Sequence, residues 1–529
     1  MARFHFSNVY LISFIATLGG LMQGFDVASM SAIIGTKQYK TYFNKPGSTL
    51  QGGITASMAG GSLLGAIATN LTGDRFGRRD SLAIACVIWI IGCAIMASVQ
   101  NVAQLIVARL INGFAVGIFS CQAPLFIAEI SKPNRRGRLI AFQNWMIAWG
   151  TLIIYFISYG TSFVEGNASF RIPWALQVVP AIAMLACIPF MPRSPRWLAS
   201  KDRWEEAHDV LAVLHARGDR LDPLVLAELN QIKEKIFQER EYGTTSWFEI
   251  FKRRNIMRTQ AAVCAHLWSQ FSGNNALMYY IVYIFQMAGI NGNRGLISGA
   301  IQYCISVGVQ VISFTFMDQY RRRWALMAGS ALLATWLFAA AGIMANYGHA
   351  VPGGLNGVPS VTWVVDSNAA SKAVISCAYL FVASYALTWG PIGWVYPSEV
   401  LPMYIRSKVT SVGVGVNWVG NFALTFFTPP AFQNIQWRTF IIFGVFNVTS
   451  FFHVFLFFPE SKKKTLEEMD EVFAQSIWAF KIKYTSSKLE DDVEYVKKDV
   501  SAAAAEIEAE IEDVQPKRDS CFTSTVPCP

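Results

Sequence analysis

Charge is scarce in this chain. Only 15% of its 529 residues are Asp, Glu, Lys or Arg, and just six are His. That is too little to solvate the several soluble domains that a chain of this length would otherwise hold. The nine cysteines have no metal-ligand spacing and no secreted disulfide framework. Cys86, Cys93, Cys121, Cys187, Cys264, Cys304 and Cys377 all fall inside apolar runs, where packing is their role. A nucleotide-binding loop, a metal cluster and a hydrolytic triad are also missing, which argues against a primary pump and against an enzyme. The sequence calls for no cofactor and no metal.

Apolar length is what the chain has in abundance. Hydrophobic residues make up 53%, with 38 Phe and 16 Trp. A bilayer core of roughly 30 Å asks about 20 apolar residues of a helix. Twelve such runs occur, near 9–33, 51–72, 81–99, 102–128, 138–162 and 173–191, then 257–289, 296–317, 324–346, 370–396, 407–428 and 438–458. The first is too long for a signal-peptide core and more spans follow it, so it is expected to stay in the protein. The Lys and Arg residues gather in alternate short loops, at 75–79, 132–138, 321–323 and 406–408. Those loops, and with them both termini, are expected in the cytoplasm. The net charge of +9 therefore describes topology, and scattered loop cations give a nucleic-acid partner no footprint. Asn167, in the sequon Asn-Ala-Ser, falls in a predicted outer loop and is a glycosylation candidate; the matches at Asn70 and Asn447 lie within spans.

The stretch GDRFGRR (Gly73 to Arg79) has a weaker echo in DQYRRR (Asp318 to Arg323). Each sits between two apolar runs, once per half of the chain, which points to an internal repeat of membrane helices. The expected fold is an all-α polytopic membrane protein. It comprises a six-helix half at 1–191, linker helices at 192–255, a second six-helix half at 256–458 and a tail at 459–529. The tail should open as a helix in PESKKKTLEEMDEVF and be disordered beyond about 488. Nothing indicates oligomerisation, so a monomer in the bilayer is expected.

Nine short motifs, in order, resemble the sugar porter family of the major facilitator superfamily, most of all fungal hexose and pentose transporters. They are GDRFGRR, RLINGFAVG, PLFIAEI, RRGRL, PRSPRWL, SQFSGNNALMYY, WGPIGWVYPSEVLPMYIRSK, NW and PESKKKTLEE. The resemblance covers residues 8 to about 475. It implies twelve membrane helices in the major facilitator fold, and transport of a monosaccharide by alternating access across the plasma membrane. Proton symport is the first reading. A facilitator with the same site is the alternative, and a non-transporting sugar sensor is a further one.

Asp26 lies deep in the first span, and a carboxylate there usually faces a partner or a water-filled path. Its natural partner is Arg109 in the fourth span. Burial disfavours a charged carboxylate and an arginine favours it, so a pair that closes and separates can load and release a proton. The resemblance implies the same coupling role, against the plainer reading of a structural ion pair. For the sugar, the seventh span offers Gln270, Asn274, Asn275, Tyr279 and Tyr280, amides and hydroxyls of the kind a polyol needs. Four-residue spacing would put Gln270 with Asn274, and Asn275 with Tyr279. The family likeness adds Trp394, Asn417 and Trp418. Three positions depart from the family pattern: Ser269 replaces the first Gln of a pair, Asn144 beside Gln143 stands at a Gln position, and Ser306 stands at an Asn position with Gln302 one turn away.

The loop charges are expected to form gates. Asp74, Arg75, Arg78 and Arg79 would pair with Glu129 and Arg136 in one half, and Asp318, Arg322, Glu399 and Arg406 are their counterparts in the other. These contacts should close when the protein faces outward and break when it faces inward. Arg193 in PRSPR and Arg321 in DQYRRR replace a family Glu and Gly, so part of the network must be built differently. His266 and His453 are expected to be packed residues rather than proton carriers.

Overall fold

A chain in hydrocarbon must satisfy its backbone polar groups internally, so apolar runs of this length become helices. The computed structural model describes residues 6–482 except 132, 242–246, 254, 291, 317, 318, 356, 357, 463 and 465. The first half holds spans at Val9–Ile33, Ser48–Phe76, Arg78–Ala97, Val102–Ile130 and Pro133–Thr161, and a sixth in two pieces, Ala168–Leu176 and Val178–Cys187. The second half holds a seventh span in three pieces, Ile256–Phe271, Asn274–Tyr279 and Ile281–Met287. Asn293–Phe316 and Arg322–Tyr347 are the eighth and ninth spans, and the tenth is divided into Asn368–Leu387 and Trp389–Val400. Met403–Asn434 and Arg438–Phe457 complete the set. Side-chain caps mark several starts: Asn8, Asn101 and Ser367 accept from backbone N–H groups two or three residues on.

Among the described residues, eight spans are long and apolar enough to cross a bilayer unaided. The second, fifth, seventh and eleventh are not, being polar, glycine-rich or broken. Three of those four supply most of the polar cavity lining described below. The linker folds into helices at Pro195–Ser200, Trp204–Ala216 and Pro223–Glu241 and a short 3-10 turn at Trp247–Phe251. The tail begins with the helix Leu466–Gln475, and residues beyond 482 lie outside those described. Among the described residues, an antiparallel ribbon, Gly348–Ala350 against Trp363–Val365 with Gly348 opposite Val365, lies in the loop between the ninth and tenth spans.

Glycine sets the closest approaches. A Cβ on Gly61 or Gly65 of the second span would lie 2.2 or 2.1 Å from the carbonyl oxygens of Leu110 and Phe114. Reciprocally, a Cβ on Gly113 or Gly117 of the fourth would lie 2.1 or 2.2 Å from those of Met58 and Ser62. This is two-sided small-residue packing. Gly24 and Gly150 do the same between the first and fifth spans. Adding one methyl at Gly113 must therefore push the helices apart. The variant Gly113→Ala is expected to lose about 1–3 kcal/mol through overpacking. Thermal denaturation of solubilised protein checks this, and an unchanged midpoint would contradict it.

The end of the bundle opposite the basic loops is shut between the halves. Met30, Ile33, Ile34, Tyr39 and Ile54 share one apolar cluster with Leu277, with Tyr279 to Phe285, and with Met287 and Ala288. Val282 fits against Gly35, where a Cβ would meet it at 2.5 Å, and the Ser48 hydroxyl donates to Gln433. Asn167 is exposed at this end, while the Ser169 hydroxyl of its sequon is buried.

Candidate functional site

A cavity of about 150 Å³ lies between the halves. That is room for about ten water-sized groups, the scale of one monosaccharide ring. Its lining runs from Met58 and Tyr279 near the shut end towards Ala141 and Phe314 near the basic loops. The breaks in the seventh span explain how polar groups reach it. Gly273 has φ 91°, a left-handed conformation that suits glycine, and a Cβ there would meet Phe443 at 2.9 Å. The helix restarts at Asn274, so four-residue spacing does not carry across the break. Gln270 instead meets Asn275: the Asn275 amide donates to Gln270 Oε1 at 2.6 Å, and Gln270 Nε2 donates to Asn417 Oδ1 at 3.1 Å. Three amides from two spans thus form one chain on the cavity wall.

Asn144, Gln270, Asn274, Asn275, Tyr279, Trp394, Asn417 and Trp418 all line the cavity. Asn274 donates to the Met278 sulfur at 3.5 Å, and Trp394 packs edge-on against His266 with ring centroids 4.9 Å apart. Two candidates are placed elsewhere. Gln143 faces the first span, where a Cβ on Gly20 would touch its backbone oxygen and its Cγ. Tyr280 is buried and donates to the Thr425 carbonyl at 2.9 Å, tying the seventh span to the eleventh. Both fall one position from a lining residue, and one position is about 100° around a helix.

Several lining residues gave little sign in the sequence: Gln23, Thr151, Gln310, Tyr385 and Asn421. Gln23 is three residues before Asp26, an amide in an apolar run, which was the available signal. Tyr385 ends the helix before the break at Thr388, and shares a hydrogen bond with Ser269 at 2.9 Å. A hydroxyl pair therefore stands where the family has an amide. Ser306 accepts from Gln310 at 3.3 Å and lines the cavity, whereas Gln302 is buried and does not. Among the described residues, five buried polar atoms on cavity-lining residues have no protein partner: Trp145 Nε1, Asn417 Nδ2, Trp418 Nε1, Gln310 Oε1 and Ser313 Oγ. Three N–H donors, a carbonyl acceptor and a hydroxyl left open around a cavity suit a ligand rich in hydroxyls.

The ion pair sits just behind this wall. Arg109 Nη1 and Nη2 donate to Asp26 Oδ1 and Oδ2 at 3.3 and 3.1 Å, and both side chains are 0% exposed. Arg109 also donates to the carbonyls of Ile54 at 2.8 Å and Thr55 at 3.3 Å. Gln23 and Val27, either side of Asp26 in the first span, line the cavity. The short helix carrying Tyr279 packs against that same span.

At the basic end the two halves repeat one arrangement. Arg78 reaches Glu129 at 3.2 Å, and Glu129 accepts from Ser194. Arg322 reaches Glu399 at 3.0 Å, and Glu399 accepts from Ser461 at 2.6 Å. Each pair stays within one half, and both are formed although the cavity extends to this end. In this structure they brace each half internally. Arg79 donates to the Met191 carbonyl, as Arg323 does to that of Phe455. Arg406 donates to the Leu401 carbonyl, and Arg75 lies over the Phe76 ring. The side chains of Asp74 and Arg136, and residue Asp318, are outside the described set.

The two departures have separate solutions. Arg193 donates to Asp80 at 2.7 Å and stacks on Trp197, so it meets an acid rather than repelling the arginines. Its counterpart Glu460 accepts from the Arg322 backbone N–H at 2.7 Å. Gly77 turns at φ 84°, where a Cβ would meet Trp197 at 2.9 Å, whereas Arg321 turns at φ −78° and needs no glycine. His453 accepts from the Trp268 indole at 3.0 Å and packs between the seventh and twelfth spans.

Residues 12–473 match the family described as "Sugar (and other) transporter". A high-affinity glucose transporter of Kluyveromyces lactis is 43% identical, over 90% of this chain and 87% of its own length. A high glucose sensor of Saccharomyces cerevisiae is 31% identical over 89% of this chain but only 61% of its own length. Among solved structures, the E. coli xylose transporter XylE, a proton:xylose symporter with 6-bromo-6-deoxy-D-glucose bound, superimposes with a TM-score of 0.72. It is 24% identical, over 88% of this chain and 99% of that one.

Proposed function

Because the chain belongs to the sugar transporter family of the major facilitator superfamily, we propose that it carries a monosaccharide across the plasma membrane by alternating access, coupled to a proton. Glucose is the first substrate to test, given the fungal relative named for it. The observation that carries the reading is the fully buried Asp26–Arg109 pair, set behind the cavity wall formed by Gln23 and Val27. Protonation of Asp26 dissolves the ion pair, yet Arg109 keeps the carbonyls of Ile54 and Thr55 as acceptors. The charged and neutral states therefore both leave the guanidinium satisfied, as a carrier that cycles between them requires.

The cycle follows from the geometry. With the basic loops in the cytoplasm, the described state is shut outside and its cavity runs inward. Sugar and proton enter in the opposite state, the halves rock about the site, and both leave at the basic end. The amides of Gln270, Asn275 and Asn417 and the open indole N–H of Trp418 hold the hydroxyls, and the Trp394 face covers the sugar's C–H surface.

In cells lacking their own sugar carriers, the chain is expected to restore labelled glucose uptake, and collapsing the proton gradient should abolish accumulation above the external level. Uptake that equilibrates and ignores the gradient would establish a facilitator instead. Binding without any flux would establish a sensor instead.

A further inference from the structure

We infer that the segment Ile477–Lys481, just after the tail helix, is an interfacial binding site for an anionic phospholipid at the basic end of the second half. The twelfth span presents Val445, Val448, Phe452 and Phe455 outward at helical spacing, all exposed, which defines its lipid-facing stripe. The chain then turns back and extends that stripe. Phe480 stacks on Phe455 with centroids 5.6 Å apart and planes 3° from parallel, and Trp478 stacks on Phe457 at 5.3 Å.

The segment is held in place rather than trailing. Ala479 and Ile482 are buried, and Arg323 donates to the carbonyls of Ala479 and Phe455 at 3.4 and 2.6 Å. Beside those anchors Ile477, Trp478 and Phe480 remain 56, 40 and 45% exposed. Three large apolar side chains fixed outward, level with the end of a lipid-facing stripe, sit at the depth where aromatic residues meet headgroups. Lys481 is exposed and lies 5.9 Å from the Phe480 ring centroid, and the sequence continues Ile482-Lys483. Aromatic rings with the Lys481 ammonium beside them match the two parts of a phospholipid, its chains and a negative headgroup. The leaflet is the one that the basic loops select, which is also where anionic lipids concentrate.

This site is separate from the sugar cavity, so its test does not depend on transport. Full-length protein is mixed with equal amounts of phosphatidylserine and phosphatidylcholine in detergent, and the lipids that it retains are counted by native mass spectrometry. Wild type is expected to retain phosphatidylserine preferentially. Lys481→Gln should lower that preference about fivefold, the effect of one basic residue at a membrane surface, while Lys233→Gln in the linker should leave it unchanged. The pair Trp478→Ser and Phe480→Ser should reduce retention of both lipids. Equal retention of the two lipids by wild type, or an unchanged ratio in Lys481→Gln, would overturn the inference. So would a cysteine at position 478 in nanodiscs that reacts with a water-soluble maleimide as fast as one at position 221 of the linker. That result would mean the rings face water, where a soluble partner would have to cover them. A single monodisperse peak in gel filtration and an unchanged melting midpoint verify that each variant is folded.

Discussion

Replacing Asp26 with Asn is expected to abolish sugar accumulation against a gradient while sparing exchange of internal for external sugar. One proton per sugar and one pH unit of gradient support about tenfold accumulation, since a pH unit is worth about 1.4 kcal/mol. An amide at this position accepts from Arg109 in every step, so the pair never separates by protonation and the accumulation ratio should fall to one. The variant should still fold. Its Oδ1 remains an acceptor, and Arg109 keeps Ile54 and Thr55. Removing the other partner is a different matter. Arg109→Ala would leave a carboxylate buried and unpaired, a loss of about 3–5 kcal/mol. The comparison to make is accumulation against counterflow in the same vesicles. Loss of both in Asp26→Asn would mean that the pair is only structural, and retention of both would mean that it is idle.

The second large effect is expected at Gln270. Its side chain is the middle member of the Asn275–Gln270–Asn417 chain, and truncation to Ala leaves an amide donor and an amide carbonyl without partners on the cavity wall. Each orphaned polar group costs about 1–3 kcal/mol. Added to the lost sugar contacts, a total near 3 kcal/mol lowers affinity on the order of a hundredfold. Equilibrium binding of glucose to purified protein checks this directly. Gln270→Glu, which keeps the acceptor for Asn275 but loses the donor to Asn417, should fall between Ala and wild type. An affinity within threefold of wild type for Gln270→Ala would remove these amides from the site.

Rules that work on charge and length made the architecture readable. Asp26 and Arg109 stood out as ionised groups in apolar runs, and such groups seek each other because hydrocarbon offers no other partner. The twelve spans and the repeat of basic loops followed from bilayer thickness and charge asymmetry. Direction around a helix was harder to read. Gln143 and Tyr280 adjoin lining residues but point about a quarter of a turn away, into the Gly20 contact and the Thr425 carbonyl. The Gln270–Asn275 bond was hidden because Gly273 breaks the helix between them, and periodicity holds only within one helix. Tyr385 was missed for a related reason. It looks like one more aromatic in an apolar run until the break at Thr388 and the Ser269 hydroxyl place it in the cavity.

The loop charges carry a similar lesson. Composition located Arg78, Glu129, Arg322 and Glu399, but only coordinates show that each pair stays within its own half, pinned by Ser194 or Ser461. Arg193 stands where the family has a Glu, and Asp80 lies beside it.

The most direct test of the coupling claim is the proton itself. Purified protein in liposomes with a pH-sensitive dye inside should acidify the lumen when glucose is added outside with no imposed gradient and with potassium and valinomycin present to dissipate charge. One proton is expected per labelled glucose that enters, and none in Asp26→Asn. Glucose entry at a normal rate with no change in lumenal pH would contradict the account.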